Sequence, residues 1–233
     1  DSILQKNKNN KPDMQVKMEK AYITSGLNND EFLMMKFPFE LENDTFIKRI
    51  EFVPNNKQIV HHVNAHLISY KHNQKNNIFQ GERVVNTEEF SDEEAFKKLD
   101  LLNNDKTYPI LTPSIANYLP GSESIQYPDG IGILKASKKN IILVNDFHYA
   151  PTAYKEIDSS YFNIYFTNQP PKRIIKETQL GTFGISEIYP PLIIPPNQIK
   201  KFQTKAMITR DISLLTINPH MHLLGKSFLA YAV

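Results

Sequence analysis

The chain has 233 residues, 27 Lys and Arg against 25 Asp and Glu, and no Cys. That length suits one large or two ordinary domains, and the near-balance of charge supplies no field favouring nucleic acid or an anionic membrane. Without cysteine, disulfides, thiolate nucleophiles, zinc–thiolate sites and blue-copper sites are excluded together, so any metal must be held by His, Met or oxygen.

Taken in order, residues 1–14 are rich in Asn, Lys and Gln and read as a flexible leader. The first position is Asp1 rather than Met, as expected of a mature or trimmed chain from which an export signal has gone. From Gln15 to Tyr70 the text is β-prone. Val16–Ile23, Phe32–Phe39, Phe46–Val53 and the run around Ile59-Val60-His61-His62-Val63 alternate or cluster apolar residues between Asn, Asp and Gly punctuation. Ser91-Asp92-Glu93-Glu94 has the form of a capping box, and Ala95, Phe96, Leu99 and Leu102 supply an apolar stripe, which predicts one short helix. The acidic residues at its start suit the helix dipole and read as a solvated face rather than a cation site.

Residues 108–132 are rich in turns, and strand pattern returns at Ile131–Leu134, Asn140–Tyr149 and Tyr161–Phe166. The longest aliphatic run, Ile141-Ile142-Leu143-Val144, falls far short of the roughly 20 residues a membrane helix needs. The Pro170-Pro171, Pro190-Pro191 and Pro195-Pro196 doublets read as turns and edge strands. Many short strands with frequent turns predict an all-β protein of antiparallel sandwiches with one short helix.

The chemistry-bearing residues are histidines. Asn218-Pro219-His220-Met221-His222 is flanked by Ile212, Leu214, Leu215, Ile217, Phe228, Leu229 and Tyr231, which predict a buried strand. Residues two apart on a strand share a face, so His220 and His222 can meet one metal ion; the alternative is two core histidines bonded to backbone. His61 and His62 are adjacent, and on a regular strand only one of them can join a given site; reaching one metal together requires a bulge or a strand end. His148 closes the Ile141 strand. His66 is expected to be a core residue, with a role behind a metal ligand as the alternative, and His72, in a Lys/Asn/Gln stretch, a solvated bystander.

His61-His62, then His148-Tyr149 at a strand end, then His220-Met221-His222 followed by Leu224-Gly225-Lys226, with the Pro128–Gly132 turn before the His148 strand, resemble the copper type II, ascorbate-dependent monooxygenases. This family contains the peptidylglycine α-hydroxylating and dopamine β-hydroxylating enzymes and a bacterial branch. The likeness runs from about Tyr22 to the last residue. It implies two jelly-roll-like antiparallel sandwiches, here residues 15–169 and 170–233, the second incomplete, with one copper in each of the complete pair. By carry-over, His61, His62 and His148 would hold an electron-transfer copper, and His220 and His222, with a downstream Met, the copper that meets dioxygen and substrate. The resemblance further implies ascorbate or another one-electron reductant, a small-molecule or peptide substrate, and an extracytoplasmic location: periplasmic, secreted or lipid-anchored.

The chain departs from the family pattern in three places. No Met follows His222 before Val233, and Met207 lies on the wrong side of the motif. Asn218 occupies the position where peptide-amidating members carry an Arg that grips the substrate carboxylate, and an amide cannot make that charge-assisted pair. The absence of cysteine fits the bacterial branch. The function expected is a copper-dependent C–H hydroxylase. Its rivals are a non-catalytic copper-binding or electron-transfer protein on the same scaffold, and a sandwich interaction module whose histidines are structural.

Overall fold

The computed structural model describes residues 11–122, 124, 126–181, 184–219 and 224–233. The chain falls into two compact units, Asp1–Glu177 and Thr178–Val233.

The first unit is the antiparallel sandwich that the alternation predicts. One sheet has the order β1 (Met14–Lys17), β10 (Tyr161–Thr167), β4 (Thr45–Val53), β7 (Leu134–Ala136). The facing sheet has the order β5 (Val60–Tyr70), β8 (Lys139–Tyr149), β3 (Glu31–Glu40), β6 (Val84–Asn86). A two-stranded ribbon pairs β2 (Tyr22–Ile23) with β9 (Ile157–Asp158). The expected strand over Val16–Ile23 is thus two strands, interrupted where Glu19 and Lys20 break the β-prone run.

Leu33, Met35, Phe37 and Phe39 of β3 and Val63, Ala65 and Leu67 of β5 meet Ile47, Ile50 and Phe52 of β4 and Phe162 and Ile164 of β10 in the core between the sheets. Phe37 meets Phe162 edge-on at 5.0 Å between ring centroids and Phe52 meets Phe147 at 5.7 Å, so aromatic rings span the gap. Each such fully buried side chain contributes about 1.5–3 kcal/mol by leaving water. Pro38 is tolerated in β3 because β6 pairs only with Leu33, Met34 and Met35, leaving no strand partner on that side at Pro38.

The outer face of the β5-β8-β3-β6 sheet is covered in part by the helix α1 (Asp92–Lys98) and the chain after it: Met34, Ile68, Tyr70, Ile141 and Leu143 pack with Ala95, Leu99 and Leu101. The capping box forms as predicted, with Ser91 and Glu94 bonding each other's backbone N–H. The apolar stripe ends differently. The helix stops at Lys98 and Asp100 takes φ +51°, so the turn brings Leu101 inward in place of the expected Leu102.

One irregularity positions everything that follows. Leu33 pairs with Phe147 and Met35 with Val144, while Asn64 pairs with Asp146 and Ala65 with Val144. Against both neighbours, β8 therefore carries one extra residue at Asn145–Asp146. Ile142 and Val144 face the inter-sheet core, and after the bulge Phe147 and Tyr149 do so instead of residues 146 and 148. The bulge turns His148 to the outer face.

In the second unit the described residues form no strand; Tyr189 and Gln203 make one antiparallel bridge, exchanging both backbone hydrogen bonds at 2.8 Å. Nearby, the Ser186 and Thr204 hydroxyls meet at 2.6 Å. The buried strand expected around the His-x-His motif is not seen on either side of it: Ile212, Leu214, Leu215, Ile217, Phe228, Leu229 and Tyr231 are all exposed. A strand needs a neighbour to take its backbone hydrogen bonds, and the described residues of this unit offer these segments none. His220 and His222 themselves lie outside the described residues.

Candidate metal centre

At the end of the β5-β8-β3 sheet nearest the Asn145–Asp146 bulge, a second irregularity sits in β5. Val60 pairs with Tyr149 and His62 with His148, so His61 is an extra residue on the β5 side. This is the bulge that two adjacent histidines require in order to reach one point. Val60 and Val63 both enter the inter-sheet core, His62 lies on the outer face beside its pairing partner His148, and His61 is exposed at the rim.

The three rings converge through their Nδ1 atoms. His61 Nδ1 lies 3.3 Å from His62 Nδ1, and His62 Nδ1 lies 3.3 Å from His148 Nδ1. One ligand atom from each of the three is within 4.8 Å of the others, and these residues form a group that can hold a metal ion. Two imidazole nitrogens bound to one ion at about 2.0–2.1 Å stand roughly 3.3 Å apart when the angle between them is near tetrahedral. The observed spacing fits that geometry.

The far side of the rings explains why the Nδ1 atoms face one another. His62 Nε2 donates to Asp146 Oδ2 at 2.9 Å, and His148 Nε2 donates to Asp30 Oδ1 at 2.6 Å. A carboxylate partner places the ring proton on Nε2 and leaves the lone pair on Nδ1. Two bare nitrogens 3.3 Å apart repel unless a positive species lies between them. Burial works against a proton there: it is the main cause holding His148 below its ordinary value of 6.5, opposed by the hydrogen bond to Asp30 and reinforced by His62 and His61. A metal ion satisfies the same lone pairs without protonating a buried ring. Phe32 of β3 stacks on His148 at 4.3 Å with the planes 19° apart, fixing its χ2 and shielding one side of the ring.

The other predicted residues fall as follows. His66, on the same face of β5, donates through Nδ1 to the Thr112 carbonyl at 2.8 Å, tying the turn-rich segment to the strand and standing outside the three-histidine group. His72 is exposed in a turn. Met207 is exposed in the second unit. Asp30 and Asp146 are the functional residues the sequence reading did not single out. Asp146 lies two residues before His148, but Asp30 is brought to the site only because β3 starts opposite the end of β8. No helix among the described residues is long and apolar enough to cross a membrane.

Compared with known proteins, the chain matches no family model and no curated protein.

Proposed function

We propose that this chain holds a mononuclear copper ion on the Nδ1 atoms of His61, His62 and His148 and takes part in a copper-dependent C–H hydroxylation that draws on dioxygen and an external one-electron reductant such as ascorbate. The observation that carries the reading is the convergence of three imidazole Nδ1 atoms, two of them 3.3 Å from the third, positioned by the bulges of β5 and β8. Neutral imidazoles without thiolate suit copper, zinc, nickel or iron. Among these, copper is favoured by the sequence resemblance. When bound, copper supplies one-electron chemistry; the chain's own part is to hold the nitrogens in a geometry acceptable to both oxidation states. The exposed His61 keeps the ion within reach of a donor in solution.

The dioxygen-binding half of the proposal, on His220 and His222, stands on the sequence motif alone. A second reading, a non-catalytic copper-binding or electron-transfer protein, is favoured by one finding: among the described residues there is a single group of three metal-ligating side chains, and it lies wholly in the first unit.

The test is copper stoichiometry of the demetallated, reconstituted chain, with His61→Ala/His62→Ala and His220→Ala/His222→Ala variants, followed by ascorbate-dependent oxygen uptake of the copper-loaded protein. Two ions, one lost in each variant, together with uptake that needs both pairs, is the expected outcome. One ion, lost only in the first variant, with no uptake, would establish the electron-transfer reading instead. No specific copper in any form leaves a sandwich module with structural histidines.

A further inference from the structure

The His cluster is not a bare set of three nitrogens. Two of its members are backed by carboxylates from different parts of the fold: Asp146 from the β8 bulge itself and Asp30 from the residue before β3. His61 has no carboxylate partner among the described residues and meets only the other two histidines. The arrangement is therefore two anchored ligands and one unanchored one. The anchors are short and shielded on the histidine side: the His148 and His62 side chains keep 10% and 14% of their exposure, against 45% and 33% for Asp30 and Asp146.

We infer that Asp30 and Asp146 are positioning residues that set the charge preference of this centre, selecting a divalent ion over a monovalent one. The inference rests on the three-histidine reading above. Two carboxylates behind neutral imidazoles place two negative charges one ring's width from the ion. A divalent ion makes that assembly neutral, whereas a monovalent ion leaves it with a net negative charge. In a partly desolvated setting the difference is felt strongly, because Coulomb interactions weaken less there than in water. The hydrogen bonds act in the same sense. A carboxylate accepting the Nε2 proton raises the basicity of Nδ1, which strengthens the bond to the harder, more highly charged ion. The carboxylates also fix both rings in the tautomer that aims Nδ1 inward, so the bulge sets where the ligands stand and the carboxylates set which nitrogen they present.

The experiment measures affinity for Cu²⁺, Zn²⁺ and Cu⁺, each by chelator competition, and the copper midpoint potential, on the full chain and on Asp30→Asn, Asp146→Asn and the double variant. Asn keeps the size and can still accept from Nε2–H through its carbonyl oxygen, and both positions are substantially exposed, so the fold is expected to persist; circular dichroism and urea unfolding of the metal-free proteins check this. Each single substitution is expected to weaken Cu²⁺ and Zn²⁺ binding by about 10–100-fold. Cu⁺ binding should change much less, so that the midpoint potential rises, with the double variant highest. Asp30→Glu and Asp146→Glu, which keep the charge, should retain most of the divalent preference. Equal weakening of Cu²⁺ and Cu⁺, or no change in either, overturns the inference while the metal centre stands. If the unaltered chain takes up no ion at the three histidines, the metal-centre reading itself has failed.

Discussion

Buried ionisable groups in this fold act through what they are bonded to, and Lys36 shows this away from the metal centre. Its side chain is nearly inaccessible, and Nζ donates to the Gln80 and Leu99 carbonyls at 2.6 Å each, tying the end of α1 to the loop before β6. Burial, with Arg83 nearby, lowers its value to about 8, against an opposing pull from Asp100. Between about 8 and 10.5 the unfolded chain keeps a proton that the folded chain has lost, so stability rises with pH across that window. Lys36→Met should abolish this rise and, by leaving two carbonyls without their donor, cost about 1–3 kcal/mol at neutral pH. Urea midpoints for both proteins at pH 7, 8, 9 and 10 check it: parallel curves would show that Lys36 does not titrate in the folded state. At this scale the sequence disclosed the candidate ligands and hid the carboxylates bonded to them. His61, His62 and His148 announce themselves as residue types, while Asp30 and Asp146 are two among many acidic residues until the β3–β8 register puts them behind the rings.

Among the elements, the parity of β8 decides whether there is a site at all. If Asn145 were kept and β8 ran as a regular strand, Phe147 and Tyr149, both fully buried, would face outward and His148 would enter the core. Removing Asn145 instead takes out the extra residue and keeps the faces and register of residues 146–149. The deletion is therefore expected to retain metal uptake and to cost about 1–3 kcal/mol at most, which urea midpoints and metal analysis check. Asn145→Ala is the companion case. Its Oδ1 is buried without a partner, so the substitution should leave both urea midpoint and metal stoichiometry close to those of the parent. Loss of the ion in the deletion alone would show that the bulge itself is required and not only the faces that residues 146–149 take, and loss in Asn145→Ala would assign the requirement to the amide.

The same parity explains what could be read beforehand. The long strands β3, β4, β5 and β8 and the capped helix follow from apolar spacing and the Ser91–Glu94 box. Bulges leave no such mark, because an apolar run such as Ile141–Val144 looks alike whichever face each residue takes. β6 and β9, at three and two residues, are too short to show a period and exist only through their partners. On either side of the His-x-His motif, among the described residues, the expected strand is absent for the converse reason: the composition is β-prone, but composition supplies no neighbour.

For the whole molecule, every buried apolar side chain among the described residues belongs to the first unit, as do all three histidines and both carboxylates. A chain of residues 11–177 should therefore fold cooperatively and retain one ion at the histidine cluster with the affinity of the longer chain. Fluorescence-monitored urea unfolding and metal analysis of that fragment test this; a fragment with no cooperative transition would show that the first unit depends on the second.

His62 and His148 stand 86 positions apart, and they become neighbours only when β5 and β8 pair. A growing chain exposes His61 and His62 long before His148 has been made, and for that interval only two members of the three-histidine group exist. Uptake of an ion by the full three-histidine group would thus follow the closing of the sheet, unlike small zinc modules whose ion drives their folding. An ion supplied during synthesis would find that group incomplete, so loading would fall to whichever compartment the finished fold reaches.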